Sequence, residues 1–399
     1  MEAPLYKRNL IVLWLGNFVA GVGLSLVQPF MPLFIDSLGE FTVQELAFWS
    51  GLMTSAPFLS QAIVSPLWGK LADRSGRKLM YLRSSLGSAI IMIATAFVPN
   101  VQTLLIVRLL YGCFSGHIAN AVALIAAQVP KEDSGKVMGI LSTSNTSGML
   151  IGPLIGGVAV TFIGYSRCFM ITGVVLTITF FLALFLVKEE FTPVEKGKQL
   201  TVRQVYASLD NPKIIIGMYI TTLILMVTIS SINPILTLYV RQVLGRTTNV
   251  EIWSGLMASG PALVSIFAAP LLGGLGDKIG THKVLMFGLI LSSVVFIPMA
   301  FVTAVWQLLA LRMILGMTDG SMRPSIQTML TRYTPSGSVS RVFSYNQSFQ
   351  SVGMMIGPMV GSTIGGAFGF NYVFYATTVF ALINLLNVLR ITRGQNKET

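Results

Sequence analysis

The sequence predicts an all-α integral membrane protein of twelve transmembrane helices, and three observations carry that expectation. Of 399 residues, 53% are hydrophobic and only 11% charged, whereas soluble globular chains carry about a quarter charged residues; the mean hydropathy is +0.73. The apolar residues come in runs of about 20 or more, long enough to cross a hydrocarbon core as helices. The alternating ten-residue segments of an outer-membrane barrel are absent.

Polar or turn-rich breaks separate runs at 10–34, 46–68, 79–98, 102–128, 137–162 and 168–187, and again at 214–239, 252–275, 284–303, 306–330, 342–366 and 371–391. The first run, Leu10 to Phe34, exceeds the apolar core of a cleaved leader and reads as a span. Cys113 and Cys168 fall within or at the edge of apolar runs and read as buried thiols. Neither a disulfide framework, a metal site nor a cofactor is expected.

A net charge of +12 would suggest a nucleic-acid partner in a soluble protein. Here the distribution of the charge sets topology instead. With a cytoplasmic N-terminus, most of the 27 basic residues lie in inner segments, including Lys70, Arg74, Arg77 and Lys78. The outer loops hold only Arg167, Arg241 and Arg246, while Arg108, Arg312 and Arg323 sit within spans. The positive-inside rule then places both termini in the cytoplasm, and no nucleic-acid partner is expected. The longest polar stretch, 188–213, contains Pro193 and reads as a cytoplasmic linker joining six-helix halves 1–187 and 214–399.

The two halves resemble each other. An offset of about 204 residues brings Gly69 to Gly76 onto Gly273 to Gly280, and Arg108, Gly112 and Gly116 onto Arg312, Gly316 and Gly320. One further residue of offset brings Gln28-Pro29 onto Asn233-Pro234, and Gly148, Gly152-Pro153 and Gly156 onto Gly353, Gly357-Pro358 and Gly361. Duplicated bundles of this kind are used by transporters that rock one half against the other around a central site.

Two strings carry the motif content. Gly69-Lys70-Leu71-Ala72-Asp73-Arg74-Ser75-Gly76-Arg77-Lys78 occupies the tight connection between spans two and three, where glycines permit the turn and Asp73 can cap a helix or bond across the seam between halves. In span five, Gly148, Gly152 and Gly156 recur every four residues around Pro153. They allow close helix approach, either as ordinary packing or as a moving seam. The first string resembles the signature loop of the major facilitator superfamily, and the second resembles the antiporter motif of its drug:proton branch. Gly23 followed by Pro29-Phe30-Met31-Pro32 is similar to the first-span pattern of twelve-span drug exporters. Leu104, Arg108 and Gly112 fit the family's arginine motif, with Tyr111 and Phe114 in place of its glutamine and second glycine. In length and spelling the chain is most similar to quinolone-type multidrug efflux pumps of the NorA and PmrA kind. That resemblance implies a bacterial plasma-membrane protein exporting amphipathic compounds in exchange for protons, with a proton-relay role for Arg108. A monomer is expected.

Of the fifteen acids, only Asp319 falls deep within a span. A carboxylate there is costly unless paired or hydrated, which marks it as a functional candidate. Arg323, one turn away at i+4, is the predicted partner, as a proton-coupling pair or as a structural one. The superfamily lines its cavity with spans one, four, seven and ten, where this chain offers Asn17, Gln28, His117, Asn120, Asn233 and Gln327; span eleven adds Tyr345, Asn346, Gln347 and Gln350. For each amide, an interhelical hydrogen bond competes with ligand contact. The resemblance therefore implies proton-driven export of amphipathic drugs, cationic or zwitterionic. Transport of one metabolite such as a sugar is the alternative. A membrane enzyme would need a nucleophile, metal cluster or soluble domain, which the sequence does not offer.

Overall fold

The computed structural model describes residues 4–130, 133–189, 206, 209, 211–245, 249–335 and 338–393. Most of the expected linker 188–213 lies outside them, as do the side chains of Lys70, Asp73, 134–136, 339 and 340. The helices are α1 (Leu5–Asp36), α2 (Val43–Ser75), α3 (Arg77–Thr95), α4 (Val101–Gln128), α5 (Ser134–Ile163) and α6 (Tyr165–Leu186). They continue with α7 (Pro212–Leu244), α8 (Val250–Ile279), α9 (Thr281–Met299), α10 (Val305–Arg332), α11 (Val339–Phe368) and α12 (Phe370–Thr392). Each covers one predicted apolar run.

Among the described residues, nine of these helices are long and apolar enough to cross a membrane by length and composition; α2, α3 and α10 are not. For α3 and α10 the shortfall from the predicted twelve has a physical source. Arg77, Lys78 and Arg83 charge α3, and Arg312, Asp319 and Arg323 charge α10, so hydropathy fails where the sequence keeps polar groups. Large apolar side chains such as Phe162, Phe185, Phe267 and Leu271 stand outward and exposed, as lipid contact requires and water does not favour.

Two helices depart from single uninterrupted spans. Pro29 lacks an N–H to donate, and α1 tightens there into a 3-10 turn over Gln28–Phe30. The single helix expected over 102–128 is broken into Val101–Phe114 and His117–Gln128. Gly116 takes φ +112°, left-handed backbone that favours glycine, and the Ser115 N–H closes onto the Tyr111 carbonyl at 2.9 Å.

The described chain divides into two compact units. The first contains Met1–Glu40, Ala56–Gly197 and Glu251–Ser259; the second contains Phe41–Ser55, Lys198–Val250 and Gly260–Thr399. Each therefore takes one end of α2 or α8 from the other half of the sequence. In the first unit, Leu13, Tyr81, Leu124, Leu141 and Ala183 bring α1, α3, α4, α5 and α6 to a common core. In the second, Met218, Leu289, Met322 and Val388 do the same for α7, α9, α10 and α12.

The glycine string builds close helix packing in the first unit. A Cβ at Gly148 would stand 2.7 Å from the Phe18 carbonyl, and one at Gly152 would stand 2.6 Å from the Val22 carbonyl. Gly156 meets the Leu26 carbonyl in the same way, so this face of α5 lies on α1, inside the bundle rather than at a seam. The face that meets α8 is carried one residue on: a Cβ at Gly157 would stand 2.8 Å from the Glu251 carbonyl, and Gly255 lies on the Pro153 carbonyl. One residue turns a helix by about 100°, which is how neighbouring glycines serve different partners. The second unit repeats the arrangement. Gly353, Gly357 and Gly361 lie on α7, while Gly51 meets Pro358 and Ser362. Ser25 Oγ donates to the Gly148 carbonyl at 3.1 Å, and Ser230 Oγ to the Gly353 carbonyl at 3.2 Å.

Candidate functional site

In the second unit, α7, α9, α10 and α12 enclose a cavity of about 30 Å³, room for a water or two. Its polar lining is Thr228, Ser292, Arg312, Thr318, Asp319 and Asn384. Asp319, the predicted proton site, is thus brought together with Arg312, which the sequence identified only as the repeat partner of Arg108. The Arg323 charge also bears on the carboxylate, but Arg323 is exposed and does not line the cavity. Helix geometry explains the grouping. Seven residues advance about 700°, some 20° short of two turns, so Arg312 and Asp319 share one face, whereas four residues overshoot one turn by about 40°.

Asn384 was missed by sequence reasoning. It is 1% exposed, its Nδ2 donates to the Thr221 carbonyl at 3.1 Å, and its Oδ1 has no hydrogen-bond partner. Its neighbour Asn387 donates to the Gly217 carbonyl and Thr221 hydroxyl, both at 3.0 Å. Nothing in an apolar run distinguishes these two amides by role.

The first unit treats its equivalent arginine differently. Arg108 is buried, its Nε and Nη2 have no hydrogen-bond partner, and its guanidinium lies 5.5 Å from the Phe169 ring centroid. Beyond the break in α4, both ring nitrogens of buried His117 are likewise without partners, as are both amide atoms of Asn17 in α1. Asn120 is committed to packing, donating to the Met80 carbonyl at 3.2 Å and to Ser84 Oγ at 3.5 Å.

The other predicted ligand residues divide into occupied and available groups. Asn346 is buried and accepts from the Thr222 hydroxyl at 2.7 Å, an interhelical bond. Gln28, Asn233, Gln327 and Gln347 are exposed, Gln350 is half-buried, and the buried Tyr345 hydroxyl lacks a partner. Gln327 shares an open groove of about 620 Å³ with Asp277, Thr331 and Arg332.

At the signature loop, Gly76 has φ 88° and starts α3. Gly69 has open space around it, and Arg74 is exposed. The Asp73 side chain, predicted to cap or bridge, lies outside the described residues. The cap of α3 comes from Glu189, just past α6, whose carboxylate accepts from the Arg77 and Lys78 N–H groups at 2.9 and 2.8 Å. Arg77 and Lys78 then donate from their side chains to the Ala123 and Leu184 carbonyls. Sequence reasoning missed Glu189 because its partner helix begins more than a hundred residues earlier.

Two helical units rich in outward-facing apolar surface, with ionisable side chains set into a few of the helices, make a bundle suited to a membrane. The family model described as Major Facilitator Superfamily matches residues 13–249 and again residues 218–399. The chain belongs to the major facilitator superfamily, and it is a multi-pass membrane protein. Multidrug resistance protein MdtG of Salmonella schwarzengrund (strain CVM19633) is 47% identical over 96% of each chain, and MdtG of Salmonella typhimurium (strain LT2) matches equally. Among solved structures, a bacterial homologue of the human lysosomal transporter Spinster superposes with TM-score 0.79 at 15% identity, covering 98% of each chain. The human organic anion transporter MFSD10 gives 0.72 at 15% identity over 97% of this chain and 100% of that one. These two likenesses establish the fold.

Proposed function

We propose that the chain is a proton-coupled antiporter exporting amphipathic drugs, cationic or zwitterionic, by alternating access. The drug class rests on the MdtG relatives, whose name records multidrug resistance. The observation that carries proton coupling is Asp319, an ionisable acid deep in α10 that lines a polar cavity with Arg312. Twelve spans, cytoplasmic termini, halves 1–187 and 214–399 joined through 188–213, and a monomeric state complete the reading. Packing of α5 on α8 at Gly157 and Gly255, and of α2 on α11 at Gly51 and Ser362, supports seams that form and part as the halves rock.

In this cycle a proton from the acidic outer side neutralises Asp319, and its loss to the more alkaline cytoplasm restores the charge. The charge change is compensated by Arg312 and Arg323, so proton occupancy alters how α10 is held. The membrane potential adds about 2.3 kcal/mol per net charge moved per 100 mV. Dye transport in everted vesicles tests the reading: a pH gradient should accelerate it, and an uncoupler should return it to the passive rate. Equal rates with and without the gradient would remove the proton from the cycle.

A further inference from the structure

Arg312 lines a cavity whose only other charged residue, among the described ones, is Asp319, and both belong to α10. Among the described lining residues, α7, α9 and α12 contribute no ionisable group; Arg323 acts on Asp319 from the exposed side of the same helix. Neutralising Asp319 therefore removes the counter-charge that the described lining offers Arg312, and loss of a counter-charge in a confined site is unfavourable. The hydroxyls are already donating along their own helices: Thr228 to Ile224 at 2.8 Å, Ser292 to Leu289 at 3.0 Å and Thr318 to Leu315 at 2.7 Å. Asn384 Oδ1 is the side-chain acceptor in this lining with no partner at all. Its orientation is fixed, because the Thr221 carbonyl can bond only the NH₂ end of the amide. Leaving a buried carbonyl oxygen without a donor costs free energy. Such a group is useful where a donor arrives during the cycle.

We propose that Asn384 is the second resting place of the Arg312 guanidinium, a positioning residue that holds the cation while Asp319 carries the proton. This rests on the reading of Asp319 as the proton site. With Asp319 ionised, Arg312 turns to the carboxylate; when one proton from solution adds to that carboxylate, Arg312, itself protonated throughout, turns to Asn384 Oδ1. Only the O–H bond of Asp319 forms, and the guanidinium hydrogen bonds exchange acceptors.

The sign of the consequence follows. Removing the Asn384 acceptor disfavours the protonated state and lowers the pH at which Asp319 takes up its proton, whereas placing an anion there holds Arg312 away and raises it. The test is infrared titration of the full-length protein in lipid, following the carboxylic-acid carbonyl band that disappears in Asp319→Asn. Asn384→Leu should move its midpoint down by about one pH unit, a tenfold loss of proton affinity at 1.36 kcal/mol per unit. Asn384→Asp, read after subtracting the double variant that also carries Asp319→Asn, should move it up. Asn387→Leu, which removes comparable bonds to α7, should leave it in place. An unmoved midpoint in Asn384→Leu, or in Asn384→Asp should the leucine variant not fold, overturns the proposal while leaving Asp319 as the proton site. Absence of any band lost in Asp319→Asn overturns that underlying reading and this proposal with it.

Discussion

Arg108 and Arg312 stand at equivalent places in the two halves, about 204 residues apart, and their surroundings differ in every respect that bears on charge. Arg108 is buried against Phe169 on a helix that breaks seven residues later at Ser115-Gly116. Arg312 lies on a helix that runs unbroken through the corresponding Asp319-Gly320, and it shares a cavity with that acid. Gly116 takes left-handed backbone and an added Cβ there would meet only Asn120 Nδ2, at 4.0 Å, whereas Gly320 stays helical and lies 3.1 Å, measured from an added Cβ, from Ala268 and Ser265 of α8. Duplicated packing has thus been kept while the chemistry diverged: the second unit holds a half-buried acid and base on one cavity, and the first holds a polar helix break. Thr179, which occupies the place of Asn384, bonds back to Val175 on its own helix.

The comparison can be broken most sharply at the acid. Asp319→Asn should reduce uphill, gradient-driven export to the passive rate while leaving membrane insertion intact, whereas Ser115→Ala at the matching position should retain substantial export. Everted-vesicle dye transport reads both.

Stability gives the next largest contrast. Arg312→Gln takes from the Asp319 carboxylate the cation that shares its cavity, leaving Arg323 alone to balance it, and should destabilise the protein. Thermal melting in detergent should show Arg312→Gln well below wild type, with stability recovered in the Arg312→Gln/Asp319→Asn double variant. Arg108→Gln deprives no acid of a partner and should melt near wild type or above it.

The glycine faces sharpen the comparison by testing what the halves share. Gly152→Leu and Gly357→Leu each drive a side chain into an opposing backbone, at Val22 and Val227, and should lower the yield of folded protein to a similar degree by fluorescence-detected gel filtration. Gly157→Leu faces α8 instead and should leave folded protein with impaired transport.

The smallest effect is expected at the start of α2. Thr42 and Glu45 cap each other there: the Thr42 backbone N–H and hydroxyl both donate to the Glu45 carboxylate at 2.8 Å, and Glu45 N–H donates to Thr42 Oγ1 at 3.3 Å. The backbone bond, then the hydroxyl bond, hold the exposed carboxyl below its ordinary value. A depressed folded-state value means stabilisation that is present above the unfolded-state value and is lost as pH falls through the folded one. Glu45→Gln should therefore lower the melting temperature slightly at neutral pH, with the difference vanishing in acid.

Much of this architecture was readable from spacing. The twelve helical segments follow from apolar runs, and the close approach of α5 to α1 and of α11 to α7 follows from glycines every four residues. The residues that failed to declare themselves depend on tertiary partners. Gly116 and Gly320 are the same residue type in matching contexts, and only one has the neighbouring helix that keeps it helical. Arg323 is the i+4 partner that spacing offers Asp319, and its charge does bear on the carboxylate; what spacing did not declare is that Arg312, at i−7, shares the face that lines the cavity. Glu189 caps a helix from which it is separated by the whole of α3 to α6. Asn384 has the same composition signal as Asn387, and only the fixed direction of its amide distinguishes them.

The central claim is that proton chemistry resides in the second unit alone, at Asp319. The direct measurement is proton release on addition of a cationic dye such as ethidium to purified protein in weakly buffered detergent, followed with a pH indicator. Wild type and Arg108→Gln should release protons on dye addition, and Asp319→Asn should release none. Undiminished release from Asp319→Asn, or its loss in Arg108→Gln with Asp319 intact, would contradict the account.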